Sequence, residues 1–150
     1  MTVVQFTVPG DPQPQRRPRA RNAGAHARVY DPKSNRAYRE LVVEAWVQAG
    51  SPRFYGKPVT MDVWCIWKRP SDHWRKDGTL TLQGQRAGWQ CMKHADGDNV
   101  FKAVADAMNG KLFVDDRQIV RGSFYKRWTK TPDEDGRVEV MVNEIENTLP

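Results

Sequence analysis

Apolar and polar residues alternate from Val3 to Val8, the period-two pattern of a strand with one buried face. Pro9-Gly10-Asp11-Pro12 ends that strand. No periodicity runs from Gln13 to Tyr30, where prolines and a glycine predict an irregular segment. Asp31-Pro32 reads as a helix N-cap followed by proline at the first helical position. Ala37, Tyr38, Leu41, Val42, Ala45, Trp46 and Ala49 then recur at helical spacing, which predicts a helix over 33–49 with Tyr38 and Trp46 on its core-facing stripe. Val59, Met61, Val63, Cys65 and Trp67 alternate with Thr60, Asp62, Trp64, Ile66 and Lys68, predicting a strand covered on both faces near its end, with Cys65 as a buried, inert thiol. From Arg69 to Lys93 the chain is polar, punctuated by Pro70, Gly78, Gly84 and Gly88, and a loop of that length is usually functional or mobile. A second helix over 99–108 places Val100, Val104 and Met108 on one face, and Asn109-Gly110 stops it. Strands over 118–128 and 137–145 are expected to pair as a hairpin around Thr131-Pro132-Asp133-Glu134-Asp135-Gly136, whose acids read as solvated turn residues. No repeat or domain boundary interrupts the pattern, so the expected fold is a single α+β domain, a mixed β-sheet packed by two main helices.

Composition adds a direction. At 150 residues the chain has room for a real core. It has no apolar run of the roughly 20 residues that span a bilayer. Met1-Thr2-Val3-Val4-Gln5-Phe6 lacks the charged start and long apolar stretch of a secretory signal. Two cysteines, Cys65 and Cys91, are too few for a disulfide framework, and a reduced cytoplasmic setting is expected. The net charge of +6 favours an anionic partner, and nucleic acid leads because no basic amphipathic helix or lipidation motif points to a membrane. The charge is also unevenly placed: Arg16, Arg17, Arg19, Arg21, Arg28, Lys33, Arg36 and Arg39 face one acid, Asp31. Arginine's planar fork suits bidentate phosphate contact, so this arm is read as touching DNA rather than as a merely solvated loop. Arg69, Arg75, Lys76, Arg86 and Lys93, interleaved with Trp74 and Trp89, make the 69–93 segment a candidate DNA-facing flap; the alternative is that both tryptophans tuck back onto the body. Arg69 and Lys93 are its candidate DNA contacts. His26 and His73 read as phosphate contacts or spectators.

The chemistry concentrates between Lys93 and Ile119. Asp96 and Asp98 are two residues apart, and on extended backbone both would project to one side, with Asp98 also able to cap the helix. Lys102 follows at i+4, which on a helix puts its Cβ roughly 5–6 Å from that of Asp98. Asp115 and Asp116 then precede a strand; on extended backbone they point to opposite sides, so one of them is expected as a direct ligand. Carboxylates gathered from separate segments repel one another and are stabilised together by a hard cation such as Mg²⁺. Such a centre suits phosphodiester cleavage, with one ion or with two about 4 Å apart. Cys91-Met92-Lys93-His94 lacks the second pair that a zinc site needs.

Asp96-Gly97-Asp98-Asn99-Val100-Phe101-Lys102, Asp106-Ala107-Met108-Asn109-Gly110 and Asp115-Asp116-Arg117-Gln118-Ile119 together resemble the RusA family of Holliday junction resolvases. Pro9-Gly10-Asp11-Pro12 with Arg16-Arg17-Pro18-Arg19 is similar to that family's opening strand and basic loop. Ala95 stands where the family usually has proline, which removes no ligand. The resemblance implies a RusA-like, Mg²⁺-dependent homodimeric endonuclease that cuts four-way DNA junctions symmetrically, of a kind common in phages. It implies Asp96, Asp98 and Asp116 as metal ligands, Asp115 as a weaker candidate, and Lys102 as the essential lysine. Two other readings are a less selective nuclease for branched or single-stranded DNA, and a non-catalytic DNA-binding module whose acids are structural.

Overall fold

A computed structural model describes residues 2–24 and 26–146. The side chains at 19, 21–23 and 26–28 lie outside the described residues, those of the candidate DNA contacts Arg19 and Arg21 among them. In chain order the elements are β1 (Val3–Pro9), β2 (Arg19–Ala23), β3 (His26–Tyr30), α1 (Lys33–Gln48), β4 (Val59–Trp67), α2 (Leu82–Ala87), α3 (Gly97–Met108), β5 (Ile119–Trp128) and β6 (Arg137–Glu144). The fold is the expected α+β domain, a four-stranded mixed sheet in the order β1-β6-β4-β5. Among the described residues no helix is long and apolar enough to cross a membrane.

The sheet order corrects one expectation. β5 and β6 do not form a hairpin; β4 lies between them, antiparallel to β6 and parallel to β5. The reason is hydrophobic. Seven of the nine residues of β4 are buried, including Val59, Met61, Val63, Cys65 and Ile66. Each such aliphatic side chain contributes roughly 1.5–3 kcal/mol by leaving water, so β4 takes a central position. Half of β5 is exposed and of its residues only Trp128 is buried, which fits an edge. The parallel β4–β5 pair needs a crossover, and α3 lies within it.

On the helix-covered face, Val4, Phe6 and Val8 of β1 stand opposite Val142, Val140 and Val138 of β6. These side chains form one core with Tyr38, Val42 and Ala45 of α1 and Val100, Val104 and Met108 of α3. Helix α1 buries Asn35, Tyr38, Val42 and Ala45, while Leu41 stays exposed. Pro32, not Asp31, is its N-cap. Asp31 instead accepts from Asn35 Nδ2 at 2.8 Å and pairs with Arg39.

Two segments expected to lack structure have it. Within 13–30, β2 and β3 form an antiparallel ribbon running from Arg19↔Tyr30 to Ala23↔His26. Gly24, at φ +70°, supplies the left-handed residue of its turn. The ribbon lies outside the main sheet, which explains why its sequence lacks an apolar alternation. Within 69–93, a 3-10 turn over Ser71–His73 and helix α2 fold back on each other. Thr81 caps α2 by accepting from the Gly84 N–H. A Cβ on Gly84 would stand 2.5 Å from the His73 carbonyl oxygen, so only glycine fits there.

Candidate active site

Helix α3 begins at Gly97, with Asp96 as its N-cap and Asp98 as its second residue. Asp98 therefore does not cap the helix, and the backbone between the two acids is not extended. Neither does the Asp96 side chain make a cap bond; its carbonyl oxygen accepts from the Asn99 N–H at 3.1 Å. Both carboxylates are exposed at the positive end of the helix dipole, where negative charge is favoured. Gly97 separates them for a packing reason. A Cβ there would lie 2.1 Å from the Phe124 ring of β5, and Gly122 is held against the Phe101 ring in the same way. Asp98 consequently faces a cleft of about 360 Å³ shared with Phe101 and β5 residues Ile119–Phe124.

Lys102 and Asp106 follow Asp98 at successive turns of α3, both at i+4 spacing. Asp106 accepts from Gln15 Nε2 at 2.8 Å. Burial and the neighbouring negative charge of Asp116 raise its pKa, while Arg39 and Lys102 oppose the rise. The Asp116 backbone N–H is held by Asn109 Oδ1 at 3.2 Å, at the far end of α3. Asp98 and Asp106 are separated by roughly 12 Å along the helix axis. The structure places Asp96 and Asp98 at the start of α3 and Asp116 beside its second half. It does not close them into one ligand set: among the described residues no three His, Cys, Asp or Glu side chains are placed to hold a metal ion.

Asp115 has a different task. It caps a 3-10 turn over Asp116–Gln118, where an extended segment was expected. Its carboxylate accepts from the Arg117 side chain and the Arg117 N–H, which lowers its pKa to about 2. Gln118 completes a capping box and donates to the carbonyls of Phe54 and Lys57. With Asp115 engaged by Arg117, Asp116 is the acid of this pair whose side chain is more open to solvent.

The basic loop lies against the start of α3. The Gln15 N–H donates to the Asn99 carbonyl at 2.9 Å. Exposed Arg16 and Arg17 share a cleft of about 620 Å³ with Pro14, Pro18, Asp96 and Asn99. Lys93 is also exposed nearby in sequence. The reading of the residues alone missed Asn35 and gave Gln15 and Asp106 no role. The available signals were a polar residue on the buried stripe of α1 and an acid two turns after Asp98.

Arg69 requires a correction. Expected to face DNA, it is instead 2% exposed and turned into the body of the fold. Its guanidinium donates to the carbonyls of Gly84 at 3.0 Å and Gly88 at 2.7 Å. Trp74, Trp89 and Trp128 stand 5.7, 5.1 and 5.9 Å from it at their ring centroids, within cation–π range. The tryptophans of the 69–93 segment turn toward this cation, although Trp89 remains half exposed. His73 is buried edge-on to Trp128, a packing residue rather than a phosphate contact. Cys91 is buried, the His94 ring stacks on Trp67 at 5.4 Å, and Cys65 is a buried thiol pushed up to about 12 by burial.

The fold and this arrangement define an α+β domain with a basic loop laid on an acidic helix. Residues 9–143 match the family Endodeoxyribonuclease RusA. The chain is also 31% identical over 147 residues to the uncharacterized protein YqaN of Bacillus subtilis (strain 168), covering 97% of this chain and 99% of that protein. The chain belongs to the RusA endodeoxyribonuclease family.

Proposed function

We propose that this chain is a Mg²⁺-dependent endodeoxyribonuclease that resolves four-way DNA junctions by symmetric phosphodiester hydrolysis, working as a homodimer. One observation carries the reading: Arg16 and Arg17 line the same cleft as Asp96, so a backbone phosphate and a metal-binding carboxylate would meet there. The donor chemistry fits magnesium. Asp96 and Asp98 are exposed carboxylates whose oxygens have no hydrogen bond or ion pair among the described residues. Magnesium is commonly held by one or two carboxylates together with substrate phosphate and water. When bound, the ion would lower the pKa of a coordinated water and neutralise charge on the scissile phosphate. Asp96 and Asp98 would hold it, and Asp116, held to Asn109 at the far end of α3, would be a third carboxylate. The Lys102 ammonium would meet charge developing on the phosphate. Arg16, Arg17, Arg19, Arg21 and Lys93 would contact the backbone on either side. A junction offers two equivalent cut sites, which a twofold dimer with one site per subunit would match.

The test is Asp98→Asn. Cleavage of a synthetic four-way junction with Mg²⁺ should fall by at least about a thousandfold, while junction binding stays equal or tightens because one negative charge facing the phosphates is gone. Full cutting by this variant would overturn the site. A flap, a single strand and a linear duplex, run beside the junction, separate junction resolution from less selective cleavage.

A further inference from the structure

We propose that Asn35 is a positioning residue for DNA binding: its side chain locks the backbone of Arg16 so that Arg16 and Arg17 stand ready for a phosphate in the cleft beside Asp96. The proposal rests on the reading of those two arginines as phosphate contacts.

Asn35 lies on α1 and is 3% exposed. Its Oδ1 accepts from the Arg16 N–H at 2.9 Å, and its Nδ2 donates to the Arg16 carbonyl at 2.8 Å. The same nitrogen donates to Asp31, which pairs with Arg39. The side-chain amide therefore clasps both polar groups of one backbone residue, as a neighbouring strand would. Gln15 is fixed from the other side, by its N–H to the Asn99 carbonyl and its Nε2 to Asp106. The loop is stapled between α1 and α3 immediately before two exposed arginines.

Packing alone does not call for this arrangement. A buried amide is unfavourable unless it is fully bonded, and an apolar residue would fill the same position on the stripe of α1 but leave the Arg16 N–H and carbonyl without these partners. What the amide adds is a fixed path for residue 16. Ordering a loop on binding opposes affinity, and a loop ordered beforehand avoids that loss.

The experiment measures junction affinity in EDTA over a range of salt, together with hydrogen exchange at the Arg16 amide. Asn35→Ala should lose Arg16 protection, weaken binding about tenfold and flatten the salt slope by about 0.9, one phosphate contact. In an Arg16→Ala/Arg17→Ala background the same change should have no further effect, because Asn35 acts through those residues. Additive losses, or undiminished binding by a variant that has lost Arg16 protection, overturn the proposal. If Asn35→Ala does not fold, Asn35→Ser and the wild-type protein decide. Arg16 should be protected before DNA is added, and protection arising only with DNA overturns it. Unchanged binding by Arg16→Ala/Arg17→Ala also overturns it, and locates the failure in the arginines rather than in Asn35.

Discussion

Asp106 is held in the fold with its proton retained to a higher pH than in an unfolded chain, where such a carboxyl titrates near 3.8. The native state therefore binds more protons than the unfolded one between those two values. Stability from this group is greatest below pH 3.8 and is lost as the pH rises through the folded value. Asp106→Asn keeps an oxygen for Gln15 and removes the charge that burial and Asp116 oppose. The variant should melt above the wild type at pH 7, with the gap closing by pH 3. A lower melting temperature at pH 7 would show that attraction to Arg39 and Lys102 dominates. At this scale the residue types of the candidate site were legible, because Asp, Lys and Arg spacing is a local property. Their surroundings were not. Gly97 is required by a ring 27 residues away in β5, and Asp115 is engaged by an arginine two residues on through a turn that reads equally well as extended chain.

Among the elements, the apolar periodicity was enough to place β1, α1, β4, α3, β5 and β6 within a residue or two. It failed for the β2–β3 ribbon, which lies outside the four-stranded sheet, and for 69–93, where a cation rather than an apolar stripe is the organising centre. Arg69→Met tests that centre. It leaves the buried Gly84 carbonyl without its donor, at about 1–3 kcal/mol, so the melting temperature should drop by roughly 2–12 °C. The stretch after residue 69 should become accessible to protease. The salt slope of junction binding should not change. A slope flattened by about 0.9, with stability intact, would return Arg69 to the DNA contacts.

For the molecule as a whole, strand existence was readable and strand pairing was not. A hairpin between 118–128 and 137–145 is the shortest connection, but competition for the centre of the sheet is decided by total burial, which no local window reports. If two subunits each cut one strand, mixing wild type and Asp98→Asn in equal amounts gives about half mixed dimers. On a supercoiled plasmid carrying a cruciform these should leave nicked circles. Linear product alone, at a reduced rate, would argue against one cut per subunit.

The cage around Arg69 has one further consequence. Nothing carrying an opposite charge grips it among the described residues; dipoles and ring faces do. Counterions compete for paired charges and acid neutralises carboxylates, but neither reaches a guanidinium seated this way. On the proposed function, ionic strengths that strip a polyanion from the arginine arm should leave this joint shut, so release of DNA and loosening of the scaffold would be governed by separate conditions.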